Sequence, residues 1–181
     1  GAAIVDADLF IVDDGAGGTN RKVVASRFKT YIGSTSGALD DLTVGDAFCG
    51  AGGMSKGFRD AGWDVVLGFD TSEDAIATYG HNNRDACAYR ADITTVNKQT
   101  LRYQTTRNID CLDILIGGPP CQGFSVQRRG PISDPRNMLV VQFARLVIEL
   151  KPKFFAMETL PTFLSRGRDV YDCIKDLLRP S

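Results

Sequence analysis

Between Thr43 and Leu178 the apolar positions repeatedly change rhythm. Short apolar runs predict strands at "TVGDAF" (43–48), "DVVLGFD" (64–70), "AYRADI" (88–93), "LDILIGG" (112–118) and "KFFAME" (153–158). The fourth run is almost continuously apolar, as in a parallel strand covered on both faces. Between the strands, "MSKGFRDAG" (54–62), "SEDAIATYGHN" (72–82), "NMLVVQFARLVIELKP" (137–152) and "GRDVYDCIKDLL" (167–178) read as helices, with Ser72 as an N-cap. Strands alternating with helices predict an α/β fold: a Rossmann-like, mostly parallel sheet. Ligands of such sheets sit beyond the carboxyl ends of the strands. The unusual residues collect on that rim. They are Phe48-Cys49-Gly50, Asp70, Asp92-Ile93, Pro119-Pro120-Cys121 and Glu158, one group per strand.

The opening of the chain reads differently. "LFIVDDGAGGTNRKVVASRF" (9–28) holds two apolar stretches around a glycine-rich turn, the pattern of a β-hairpin. "GSTSGALDD" (33–41) has linker composition. The chain thus divides into an extension, residues 1–38, and a main domain, residues 39–181.

Composition narrows the chemistry more than the fold. The chain has 181 residues, 43% of them hydrophobic and 24% charged, enough for one domain with a real core. No apolar run approaches a membrane span and no signal-peptide pattern opens the chain, so the expected setting is cytoplasmic, with no membrane partner. The five cysteines (49, 87, 111, 121, 173) form no C-x-x-C pair, and His81 is the single histidine. That argues against a metal site and against a disulfide framework. At a net charge of −1, contact with nucleic acid depends on local basic groups such as Arg128, Arg129 and Arg136.

The first glycine turn, Gly50-Ala51-Gly52-Gly53, is neither a P-loop nor a good dinucleotide fingerprint. An acid at Asp70 can hold both hydroxyls of a ribose, and Asp92 can accept from an adenine amino group. Together they suggest an adenosyl ligand. The plainer alternative is a structural turn with two solvated, capping acids. Cys121 follows two prolines that stiffen the backbone and precedes Gly123, which frees it. Such a frame presents a thiol, and Arg128 and Arg129 would favour its thiolate. Glu158 would stand near enough to act as an acid or hydrogen-bond partner. A packed, inert thiol and a surface carboxylate are the alternatives.

"DAFCGAGGMSKGFRDAGW" (46–63), "GGPPCQGFS" (117–125) and "AMETLP" (156–161), in that order, resemble the DNA (cytosine-5)-methyltransferase family over Val44 to Leu178. The resemblance implies a restriction–modification type of activity on double-stranded DNA, with S-adenosylmethionine as methyl donor. It implies that the Cys121 thiolate attacks carbon 6 of cytosine, that Glu158 holds the ring at N3 and the amino group, and that carbon 5 takes the methyl. It implies donor contacts from Phe48 to the adenine, from Gly50, Ala51, Gly52 and Gly53 to the methionine part, from Asp70 to the ribose, from Asp92 and Ile93 to the adenine edge, and from Pro120. The target base must leave the duplex stack. Ser125, Arg128 and Arg129 are candidates for phosphate contacts and Gln127 for filling the vacated stack, while Asp134, Arg136, Asn137 and Leu139 match a supporting motif.

Two departures stand out. Thr159 occupies a place where the family usually has asparagine, which affects how the catalytic loop is held. The chain also lacks the family's target-recognition region and late motifs, as if truncated after the fifth strand. The expectation is a fragment or half of a split enzyme, with a second polypeptide supplying the rest and "KFFAM" an exposed edge. A transfer-RNA cytosine methyltransferase of the same family, and a non-catalytic S-adenosylmethionine-binding remnant, are the competing readings.

Overall fold

The computed structural model describes residues 9–13, 42–106, 109–120, 138–159, 163 and 167–178. Its strands are β1 (Leu9–Asp13), β2 (Thr43–Ala47), β3 (Asp64–Asp70), β4 (Cys87–Arg90), β5 (Ile114–Gly117) and β6 (Phe154–Thr159). Its helices are α1 (Gly53–Asp60), α2 (Glu73–Asn82), α3 (Lys98–Gln104), α4 (Met138–Leu150) and α5 (Arg168–Leu178). Among the described residues no helix is long and apolar enough to cross a membrane.

The strands form one sheet in the order β1-β6-β5-β2-β3-β4, every pairing parallel. From β2 the chain winds outward through β3 and β4, then returns to β2's other side for β5 and β6. The strand order therefore reverses between β2 and β5, which is where such sheets open a crevice. Both faces are covered. Ile114, Ile116, Val44 and Val65 pack with Phe58 and Trp63 on one side. Leu115, Phe155, Met157 and Phe69 join Phe143, Leu146 and Val147 of α4 on the other. This two-sided burial is why the apolar run of β5 lacks alternation.

Three features differ from the sequence expectations. The third strand stops at Arg90 because Asp92 turns the chain: its carboxylate accepts the Thr94 amide at 2.9 Å and its carbonyl accepts from Thr95. Helix α3 carries no apolar periodicity and buries only Leu101. It is nucleated by a reciprocal capping box between Asn97 and Thr100. Lastly, Leu9–Asp13 lies parallel along β6, from Leu9 opposite Phe155 to Asp13 opposite Thr159. The β6 edge expected to stand open is thus paired by the extension. The second arm of the expected hairpin lies outside the described residues.

Candidate active site

The rim begins with a strained turn. Phe48 follows β2 with φ 59°, a left-handed conformation uncommon for a residue with a β-carbon. Gly50 (φ 51°) and Gly52 (φ 91°) continue the turn into α1. Among the described residues nothing stands within 4 Å of where a Gly50 side chain would be, so they leave the turn's outer side open. Its inner side is tied to β3: the Cys49 amide donates to the Phe69 carbonyl at 3.1 Å and the Gly50 amide to Asp70 Oδ2 at 3.0 Å. Asn82 closes the far end by donating to the Ala51 carbonyl at 3.0 Å.

Beneath the turn lies a buried polar group drawn from three elements. Ser55 of α1 donates to Asp46 Oδ2 of β2 at 2.6 Å and meets the Tyr79 hydroxyl of α2 at 3.0 Å. All three side chains are essentially inaccessible. Tyr79 reaches them because its ring lies over Gly68, where any β-carbon would collide with it. Burial, followed by the Asp46 carboxylate, pushes the Tyr79 hydroxyl far above its ordinary pKa, so it stays protonated. The Cys49 thiol beside this group is pushed far up as well, by burial first and then by the Asp46 and Asp70 carboxylates. Cys49 is therefore a packed thiol rather than a nucleophile.

A cleft of about 320 Å³ opens beyond β3, β4 and β5. Of the residues predicted from sequence, Phe48, Asp70, Asp92, Ile93 and Pro120 line it together. Asp70 Oδ1 also accepts the Ser72 amide at 3.0 Å, so both oxygens anchor backbone while the carboxylate still faces the cleft. The Thr94 amide, then the Thr94 hydroxyl, hold the Asp92 carboxyl below the usual range. Gly52 is buried beneath the turn, while Ala51 and Gly53 lie on its exposed face away from the cleft wall.

Sequence reasoning missed several parts of this wall. Thr71, Ala91 and Gly118 line the cleft, and so does Leu139, for which the family motif implies only structural support. Arg145 of α4 holds the turn after β4 by donating to the carbonyls of Ile93 at 2.7 Å and Val96 at 2.8 Å, while Glu149 accepts the Lys98 amide at 2.8 Å. An arginine and a glutamate four apart on a helix have the pattern of a surface pair, and no local signal reveals that the arginine points at backbone.

On the other side of the crevice, β5 ends at Gly117 and β6 delivers Glu158 toward Gly118. Glu158 is half-buried and Thr159, its unusual neighbour, is buried. Cys121, Ser125, Gln127, Arg128 and Arg129 lie outside the described residues, as do Asp134, Arg136 and Asn137.

This open parallel sheet, with its glycine turn and its cleft at the reversal of strand order, is the Rossmann-like fold of methyltransferases. A protein described as a prophage-encoded DNA modification methyltransferase (E. coli) superposes with a TM-score of 0.62 at 32% identity, over 75% of this chain and 37% of that one. The Dnmt2 methyltransferase of S. pombe shares the fold at a TM-score of 0.54, with 17% identity over 75% of this chain and 39% of that one. The family model for C-5 cytosine-specific DNA methylases matches residues 42–178, and the chain belongs to that family. The Type II methyltransferase M.DdeI of Desulfomicrobium norvegicum is 37% identical over 76% of this chain and 32% of its own length. M.AgeI of Thalassovita gelatinovora is 39% identical over 66% of this chain and 28% of its own. The chain thus spans about a third of the length of these relatives.

Proposed function

We propose that the chain carries the donor-binding and catalytic part of a DNA (cytosine-5)-methyltransferase. The observation that carries this reading is the meeting of two halves at one crevice: Glu158 reaches Gly118, and Gly118 is a wall of the cleft lined by Phe48, Asp70 and Asp92. The donor cleft suits an adenosyl group. It offers an aromatic ring, two carboxylates placed for hydroxyl and amino donors, apolar walls from Ile93 and Leu139, and no lysine-bearing phosphate cradle among the described residues. S-adenosylmethionine would supply an electrophilic methyl group there. Phe48 would pack on its adenine, Asp70 would hold the ribose, Asp92 and Ile93 the adenine edge, the Gly50–Gly53 turn the methionine part, and Pro120 the geometry between donor and nucleophile.

The chemistry then belongs to Cys121 and Glu158. Cytosine carbon 5 is too weak a nucleophile alone. A bond from the Cys121 sulfur to carbon 6 pushes electron density onto carbon 5, with Glu158 holding N3 and the amino group. Carbon 5 would take the methyl as its bond to the donor's sulfonium sulfur breaks and the thioether departs, then lose its proton to a base and expel the thiolate as the ring double bond reforms. The base must be flipped from the duplex, at a cost of a few kcal/mol. Ser125, Gln127, Arg128 and Arg129 would offset that cost by holding the backbone and filling the stack. A target-reading region beyond residues 42–178 would choose the site.

Duplex DNA containing 5-fluorocytosine tests this reading, because fluorine cannot leave carbon 5 as a proton does. The chain, alone and with lysate from its source, should form a covalent adduct that requires S-adenosylmethionine and disappears in Cys121→Ser. Folded protein that gives no adduct in either setting would overturn it.

A further inference from the structure

Gly117 and Gly118 are adjacent glycines required by different neighbours. A β-carbon on Gly117 would stand 2.7 Å from the Ala47 carbonyl oxygen and 2.7 Å from the Phe143 ring. Backbone and a packed aromatic cannot yield cheaply, so Gly117 serves the contact between β5, β2 and α4. Gly118 is another matter. Its φ lies outside the left-handed region, so its backbone conformation is open to any residue. Among the described residues the three nearest atoms to a β-carbon there all belong to Glu158: Oε2 at 2.8 Å, and Cβ and Cδ at 3.9 Å. The space left by the missing side chain faces one carboxylate.

We infer that Gly118 is a positioning residue for Glu158. The absent side chain leaves the slot in which the glutamate's tip rests against the cleft wall, and so fixes how far the carboxylate reaches toward a bound ring. This deepens the proposed function and rests on it for the identity of the substrate, but the steric coupling exists without substrate. A methyl group at position 118 meets the flexible end of a side chain rather than backbone. It should displace the carboxylate and leave the sheet intact.

The test compares the full chain with Gly118→Ala, Glu158→Asp and the double variant. The first readout needs no turnover: the pH titration of the Glu158 side-chain carboxyl carbon in 13C-glutamate-labelled protein, assigned by its absence in Glu158→Gln. Gly118→Ala should shift that resonance and its midpoint while preserving the thermal transition. The second readout, on protein shown competent for adduct formation, is methyl transfer. Gly118→Ala should lower kcat on the order of a hundredfold, as for an angstrom-scale misplacement of a reacting group. Glu158→Asp, whose shorter side chain withdraws from the added methyl, should cost less when combined with Gly118→Ala than when made in the wild-type chain. An unchanged carboxyl titration in Gly118→Ala, or strictly additive losses, would overturn the inference. If Gly118→Ala fails to fold, refolding of the double variant supports it and failure of both overturns it. A shifted titration in a protein that never forms the 5-fluorocytosine adduct would leave this coupling standing and remove the proposed activity.

Discussion

Two aspartates at opposite ends of the sheet show how one residue type serves two purposes. Asp113 precedes β5 at the strands' amino ends. Its Oδ2 accepts the Thr43 amide and hydroxyl, each at 2.9 Å, and Lys153 Nζ stands 2.6 Å from Oδ1. The Thr43 hydroxyl oxygen in turn accepts the Asp113 amide at 3.1 Å. That carboxylate takes three donors, a cation among them, and staples β2, β5 and β6 together. Asp70 ends β3 at the opposite rim. It accepts two backbone amides and faces a cleft. An ionised carboxylate offers about four lone-pair sites, so Asp70 can still receive a ligand's hydroxyls. Asp113 is held among strand starts and a lysine, whereas Asp70 keeps acceptor capacity at a cleft.

Substitutions should separate the two roles. Asp70→Ala removes an anchor for the Gly50 turn together with the proposed ribose acceptor. We expect S-adenosylmethionine affinity, read by calorimetry, to fall by roughly 2–3 kcal/mol, since hydrogen bonds to charged groups are worth about that much. Retained affinity would make Asp70 a capping acid like Asp113. Asp113→Ala should cost about 1–3 kcal/mol in urea denaturation, from the unpaired Thr43 amide, with donor affinity unchanged. The pH dependence sharpens the contrast. Burial pushes the Asp113 carboxyl upward, but hydrogen bonds from Lys153 and from Thr43 outweigh it, and the net shift is downward. A depressed folded-state value means the stabilisation is present above the ordinary aspartate value near about 4 and is lost as pH falls through the lower folded value. Wild type should therefore lose stability in that acidic window more steeply than Asp113→Asn. The smallest effect is expected from Tyr79→Phe. Loss of one buried hydroxyl should cost about 1 kcal/mol of stability and loosen the glycine turn, weakening donor binding a few-fold. A fall in stability with unchanged donor affinity would show that the Asp46–Ser55–Tyr79 group does not support the turn.

The rim was legible because strand ends can be read locally. Phe48, Asp70, Asp92, Ile93 and Pro120 each follow an apolar run, and parallel strands bring such positions to one edge. What escaped reading depended on chain segments far apart in sequence. Arg145 reaches a turn 52 residues earlier, and the Gly118–Glu158 slot depends on the register that pairs Gly117 with Met157. The fate of the β6 edge was equally hidden. "LFIVD" reads as a strand, but nothing local names its partner as "FFAMET".

Periodicity, turn chemistry and the three motifs were sufficient for the strand–helix alternation, the family and the rim where Phe48, Asp70, Asp92, Ile93 and Pro120 meet, because each is written in neighbouring residues. Packing alone could show that Cys49 is a sealed thiol, that Leu139 walls the cleft, and that Gly117 and Gly118 are glycines for separate reasons. Burial, close approach and charge proximity are properties of pairs brought together across the sheet, and a linear pattern carries no distances.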